Sequence, residues 1–149
     1  MRIVLQRVSY ASCKVDGNIT GEIENGFLAF IGFRRDDDKT LFDKMAKKVA
    51  GLRVFSDDEG KMNLDIKKVN GKILAISQFT LYADSKHGNR PSFIDAMEYD
   101  KANQYYLDFV LYLEKTYDIK CEKGIFGADM KISLLNDGPV TIILDSDTL

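Results

Sequence analysis

Two short stretches hold the residues whose types and spacing could do chemistry. Asn136-Asp137-Gly138-Pro139-Val140-Thr141 lies between two apolar runs, Ile132–Leu135 and Val140–Leu144. Proline donates nothing to a sheet ladder and glycine supplies a hinge, so a Gly-Pro pair between strand-like runs makes a rigid corner. Such a corner can hold backbone carbonyls outward in one fixed direction, as acceptors. The same hexapeptide also reads as a plain hairpin turn.

The second stretch is Leu74-Ala75-Ile76-Ser77-Gln78-Phe79-Thr80-Leu81-Tyr82. It begins as an apolar strand and is broken by two hydrogen-bonding side chains, Ser77 and Gln78. Backbone N–H groups at such a strand end can point at a ligand, although a strand with a polar edge has the same pattern. No strong general base is evident beside either hydroxyl. Catalysis built on these residues would rest on positioned donors and on groups that the substrate brings.

Other chemistries find little support. The only histidine, His87, sits in the polar stretch Lys86-His87-Gly88-Asn89-Arg90, where it reads as an exposed loop residue rather than a triad base or metal ligand. Asp36-Asp37-Asp38 lacks the spacing of a calcium loop and reads as a cluster at a helix start. Metal-protease, P-loop and dinucleotide signatures are missing. Cys13 and Cys121 are isolated and read as reduced thiols, not as a zinc site or a disulfide framework.

The elements that must position these residues follow from turn signals and periodicity. A chain of 149 residues, 45% hydrophobic and 30% charged, fits one globular domain over 1–149, with no run long enough to span a membrane and no secretory leader. Asp16-Gly17 separates strands Ser12–Val15 and Ile19–Ile23; Asn25-Gly26 separates the latter from Phe27–Phe33. These dipeptides favour tight hairpins, so the first third reads as an antiparallel meander. One helix is capped by Asp38, carries Leu41, Phe42, Met45 and Val49 on a face, and ends before a C′ Gly51. A second is capped by Asp100 and runs to about Thr116, with Ala102, Tyr105, Tyr106, Phe109 and Leu113 inward. Strands at Lys72–Ser77, Lys120–Lys123, Lys131–Asn136 and Val140–Leu144 complete a mostly antiparallel α+β fold.

A net charge of −2 argues against a protein that clamps long duplex nucleic acid. Contact with nucleic acid would be small and local. Candidate basic spots are Arg34-Arg35, Lys44 with Lys47-Lys48, Lys67-Lys68, and Lys86 to Arg90.

Taken together, Ser77-Gln78-Phe79-Thr80-Leu81 and Asn136-Asp137-Gly138-Pro139-Val140-Thr141 resemble the paired signature motifs of the D-aminoacyl-tRNA deacylases. Leu5-Gln6-Arg7-Val8, Leu52-Arg53-Val54-Phe55 and Gly60-Lys61-Met62-Asn63 are similar to the same family. So are Gly88-Asn89-Arg90-Pro91-Ser92-Phe93 and Gly124-Ile125-Phe126-Gly127-Ala128-Asp129-Met130. The resemblance spans the chain in order.

It implies a barrel-like α+β fold, a cytoplasmic homodimer, and no cofactor or metal. The implied activity is hydrolysis of the ester joining a D-amino acid, or a misplaced glycine, to the 3′-terminal adenosine of tRNA. A cis Gly138-Pro139 peptide would reach into the partner's pocket and exclude L-amino acids. Ser77, Gln78, Phe79 and Thr80 would form the catalytic segment, with backbone N–H groups near Phe79 and Thr80 holding the carbonyl oxygen and the ribose 2′-OH assisting. Thr80 as covalent nucleophile is the rival route. Arg7 would buttress the corner, Asn136 and Thr141 flank it, and Met130 and Phe126 would pack on the adenine. A non-catalytic RNA-end binding module and a general esterase remain as alternatives.

Overall fold

The computed structural model describes all residues, Met1–Leu149. Strand β1 (Arg2–Val15) is the spine of the sheet. Asp16 and Gly17, at φ 49° and 79°, turn it tightly into β2 (Asn18–Ile23), as an Asp-Gly hairpin requires. The expected meander does not continue. Strand β3 (Gly26–Gly32) pairs with β1, not with β2, and the register runs unbroken from Ala11↔Ile23 to Val8↔Gly26. β2 and β3 are therefore two parts of one interrupted strand along a single edge of β1. Asn25-Gly26 makes a kink instead of a hairpin, because Gly26 is needed for close approach. A Cβ there, at φ 152°, would overlap the Lys72 backbone carbonyl.

The other edge of β1 carries β8 (Lys131–Asp145), antiparallel from Arg2↔Asp145 to Lys14↔Lys131. Here the hairpin reading is corrected. The two apolar runs lie on one strand and face the same partner. Between the pairs Gln6↔Thr141 and Val8↔Asn136, β1 has only Arg7 while β8 has Asp137, Gly138, Pro139 and Val140. The surplus leaves the ladder as a wide bulge, which is where a proline inside a strand can be accommodated.

Strand β6 (Lys72–Ser77) runs parallel to β3, and β7 (Cys121–Lys123, one residue shorter than expected) runs parallel to β6. The sheet curls until β7 meets β2: a Cβ on Gly21 would lie 2.8 Å from the Lys123 carbonyl oxygen. The result is a nearly closed barrel within an α+β fold. Period-2 alternation sorts its side chains. Val8, Ala11, Ile23, Leu28, Leu74 and Ile76 fill the inside. Ile3, Leu5, Phe27, Ala29, Ile73 and Ala75 face outward under the helices. A small hairpin, β4 (Phe55–Ser56) with β5 (Met62–Leu64), adjoins.

Helix α1 (Leu41–Gly51) buries Phe42, Met45 and Val49, the stripe expected from spacing. Its limits differ from expectation. Thr40 occupies the N-cap without a side-chain cap bond, while the Asp38 carboxylate, two residues earlier, accepts from the Thr40 N–H and hydroxyl. Gly51 is the last helical residue, and Leu52 leaves in extended conformation, so no left-handed C′ glycine is used. Helix α2 (Tyr99–Tyr117) is capped by Glu98, not Asp100, and its carboxylate accepts from the N–H groups of Asp100 and Lys101. Tyr106, Phe109, Val110 and Leu113 are its buried face. No helix is long and apolar enough to cross a membrane.

Candidate active site

The end of β6 is the organising point. Tyr106 of α2 donates to the Ala75 carbonyl at 2.8 Å and seats the strand. Burial pushes this phenol well above its ordinary pKa, so it remains a donor. The Gln78 N–H donates to the Ile31 carbonyl at 2.8 Å as the chain leaves the sheet. A short 3₁₀ turn, Phe79–Tyr82, follows. The N–H groups that open such a turn, here those of Phe79 and Thr80, find no acceptor within it. The Gln78 side-chain amide donates to the Thr80 hydroxyl at 2.6 Å.

Beside this turn lies a cleft of about 570 Å³. Ser77, Gln78 and Phe79 form one wall, Phe126 and Met130 another. The structure thus brings together five of the residues singled out in the sequence. Thr80 neighbours the cleft but does not line it. His87 stands outside it, exposed in its loop. Asp129 is the only carboxylate on the wall, and it is exposed and paired with Lys131 at 2.9 Å. The cleft is thus an aromatic-walled chamber with hydroxyl, amide and backbone donors, and no acid–base dyad.

Sequence reasoning missed Tyr99, Phe93 and Met97, which also line it. The Phe93 ring meets Phe79 edge-on at 5.0 Å, and Tyr99 meets Phe126 at 5.0 Å. Phe93 lay within a stretch that carried the family resemblance, which was the available signal. Tyr99 precedes the helical stripe and had none.

The second group sits elsewhere. Gly138-Pro139 is cis, with Gly138 at φ 128°. Arg7, about nine-tenths buried, donates from Nε to the Asp137 carbonyl at 3.0 Å and from Nη1 to the Val54 carbonyl. Asn136 accepts from the Val140 N–H at 3.2 Å and donates to the Thr141 hydroxyl at 3.1 Å. These bonds hold both shoulders of the bulge. None of Arg7, Asn136, Gly138, Pro139 or Thr141 lines the cleft of its own chain. No group of three or more His, Cys, Asp or Glu side chains converges into a metal-binding cluster.

The fold and the cleft define an α+β barrel protein with an aromatic-walled chamber at the end of β6. The chain belongs to the D-Tyr-tRNA(Tyr) deacylase family, whose model matches residues 4–145. It is 52% identical to a D-aminoacyl-tRNA deacylase of Dictyoglomus turgidum over 149 residues, covering 100% of this chain and 95% of that one. A D-aminoacyl-tRNA deacylase of Fusobacterium nucleatum is 53% identical over 146 residues, covering 98% and 96%. Among solved structures, one described as a c-Myc DNA unwinding element binding protein superposes with a TM-score of 0.92 at 37% identity, covering 97% of this chain and 98% of that one. A probable eukaryotic D-amino acid tRNA deacylase superposes at 0.81 over 96% of this chain and 97% of its own, and at 15% identity it bears on the fold alone.

Proposed function

We propose that this chain, acting as a single domain over 1–149 in the cytoplasm, hydrolyses D-aminoacyl-tRNA and glycyl-tRNA mischarged on a non-cognate tRNA. Free amino acid and tRNA are the products. The observation that carries this reading is the separation of the two motif groups. The cleft holds Ser77, Gln78 and Phe79, whereas the Gly138-Pro139 corner, a bulge on the edge strand β8, does not line it. A corner so placed serves the cleft of a second copy.

β8 suits that arrangement. It is bonded to β1 on one side only, and its exposed side chains include Leu135 and Ile143, 63% and 66% accessible. A long apolar edge strand of this kind invites pairing with another chain. A twofold contact there would give each cleft the partner's corner.

In the assembled site the terminal adenine lies between Phe126 and Met130. The substrate's α-amino group donates to the corner's carbonyls. An L-amino acid anchored this way turns its side chain into the rigid backbone, whereas a D-amino acid turns it outward and glycine has nothing to exclude. Rejection of one hand then requires no recognition of any particular side chain. Water adds to the ester carbonyl, and the oxyanion is held by the N–H groups of Phe79 and Thr80. The C–O bond to the ribose breaks, and the departing 3′-oxygen takes a proton. The neighbouring 2′-OH assists, since the cleft offers no protein base.

The test is a single-turnover assay on tRNA ending in 2′-deoxyadenosine. A fall of about a hundredfold or more, the usual scale for lost acid–base assistance, is expected. An unchanged rate removes this mechanism. Turnover of small acyl esters without RNA would instead mark a general esterase.

A further inference from the structure

The loop that leaves the catalytic turn is built onto the rim of the cleft. After the 3₁₀ turn, the backbone N–H of Asp84 donates to the Ser92 carbonyl and that of Ser92 to the Asp84 carbonyl, both at 2.8 Å. This pair closes a seven-residue loop, 85–91, which turns through Gly88 at φ 79°. The residue after the closing pair is Phe93, whose ring packs on Phe79 and lines the cleft. Both ends of the loop are thus anchored to the wall that holds Ser77 and Gln78.

The loop presents Lys86, His87 and Arg90, all exposed. Its cations are unengaged. Arg2 on β1 and Arg34 and Arg35 after β3 are each paired with a carboxylate, while neither Lys86 nor Arg90 has one within ion-pairing distance. Three acids share the depression beside Lys86: Asp147 and Asp95 are paired with Arg34 and Arg35, and Asp84 is turned onto the Lys86 N–H at 2.9 Å. A chain of net charge −2 has no general attraction for RNA. Positive charge on a loop whose closing pair adjoins Phe93 of the cleft wall supplies it locally.

We propose that the 85–91 loop is the phosphate-contacting surface for the RNA backbone just upstream of the terminal adenosine, with Lys86 and Arg90 as its two cations. This rests on the reading of the cleft as the site for a tRNA 3′ end. Contacts of this kind position the strand without reading its sequence. They contribute to capture of the whole tRNA and not to the handling of the terminal nucleotide.

The test is equilibrium binding of uncharged tRNA and of the terminal nucleoside adenosine, which has no upstream phosphate, across a salt series, by the wild type and by the double variant Lys86→Gln/Arg90→Gln. The double variant is expected to weaken tRNA binding about tenfold and to flatten the dependence of log affinity on log salt by about 1–2, while adenosine affinity moves less than twofold. The charge-preserving pair Lys86→Arg/Arg90→Lys should retain wild-type tRNA binding. Unchanged tRNA affinity and salt slope would overturn the proposal. So would an equal loss for adenosine, which would make the loop a support for the cleft. An equal loss for an unrelated DNA duplex of the same length would mark a general polyanion surface and overturn it too. Because the measurement needs no turnover, absence of deacylation by the wild type would count against the proposed function and leave this result standing.

Discussion

The Arg7 guanidinium donates to the Asp137 carbonyl at 3.0 Å, and the same group reaches the Val54 carbonyl. One buried side chain on β1 therefore fixes the first residue of the β8 bulge to the loop before β4. Arg7 is the single β1 residue opposite the four residues of the bulge, and its side chain supplies a bond where ladder bonds are missing.

Replacing Arg7 with Met keeps much of the volume and removes the donors. The buried Val54 carbonyl and the part-buried Asp137 carbonyl lose their partner, and the cost should be about 1–3 kcal/mol. Urea unfolding should show a lower midpoint with an unchanged slope. Arg7→Lys, with a single ammonium in place of the fork, should fall between the two. A midpoint equal to wild type for Arg7→Met would show that the corner stands without it.

Gly138 tests the corner from the other side. At φ 128° a side chain is strained, and an added Cβ would lie 2.9 Å from both Arg7 Nη2 and Val140 Cγ2. Gly138→Ala should displace the corner by bending flexible side chains as well as backbone, at about 1–3 kcal/mol. Under the proposed function, hydrolysis of D-Tyr-tRNA should fall by about tenfold or more, the cost of misplacing a positioning group, and the preference for D over L should narrow. Retention of full discrimination would separate chirality from the corner.

The parts of this site that could be read from sequence are those set by local chemistry. The Asp16-Gly17 hairpin, the α1 and α2 stripes and the strand ending at Ser77 follow from turn residues and periodicity. What could not be read depends on which strand lies alongside. Asn25-Gly26 and Asp137-Gly138 carry the same turn signal as Asp16-Gly17, yet both stay in strands laddered on β1, one as a kink and one as a bulge. The helix caps slipped for a related reason. Asp38 and Asp100 are good caps by type, but Glu98 reaches the free N–H groups of α2 first. Phe93, Met97 and Tyr99 join the cleft only because the chain folds back from the loop onto the turn.

Thr80 separates two routes for the hydrolysis. Its hydroxyl accepts from the Gln78 amide at 2.6 Å and has no histidine or carboxylate as a bonding partner. A nucleophilic hydroxyl needs such a base. Thr80→Ala should therefore keep turnover within about tenfold of wild type, the change reflecting a less fixed Gln78. Loss of all turnover with binding retained would assign Thr80 the nucleophilic role.

The start of α2 gives a prediction in pH. The Glu98 carboxylate accepts from the Asp100 and Lys101 N–H groups, and these bonds hold its pKa below the ordinary glutamate value. The charge also meets the positive end of the helix. A pKa depressed in the folded state means that the unfolded chain binds the proton more readily. The stabilisation is therefore complete above the unfolded value, near 4.3 or about that, and is lost as pH falls through the lower folded value. Glu98→Gln keeps the shape and removes the charge. Its melting temperature should lie below wild type at pH 7, and the gap should close on acidification as the wild-type carboxyl becomes neutral. A gap that stays constant from pH 7 to pH 3 would mean that the cap acts through hydrogen-bond geometry alone, and that α2 owes nothing to the charge at its first turn.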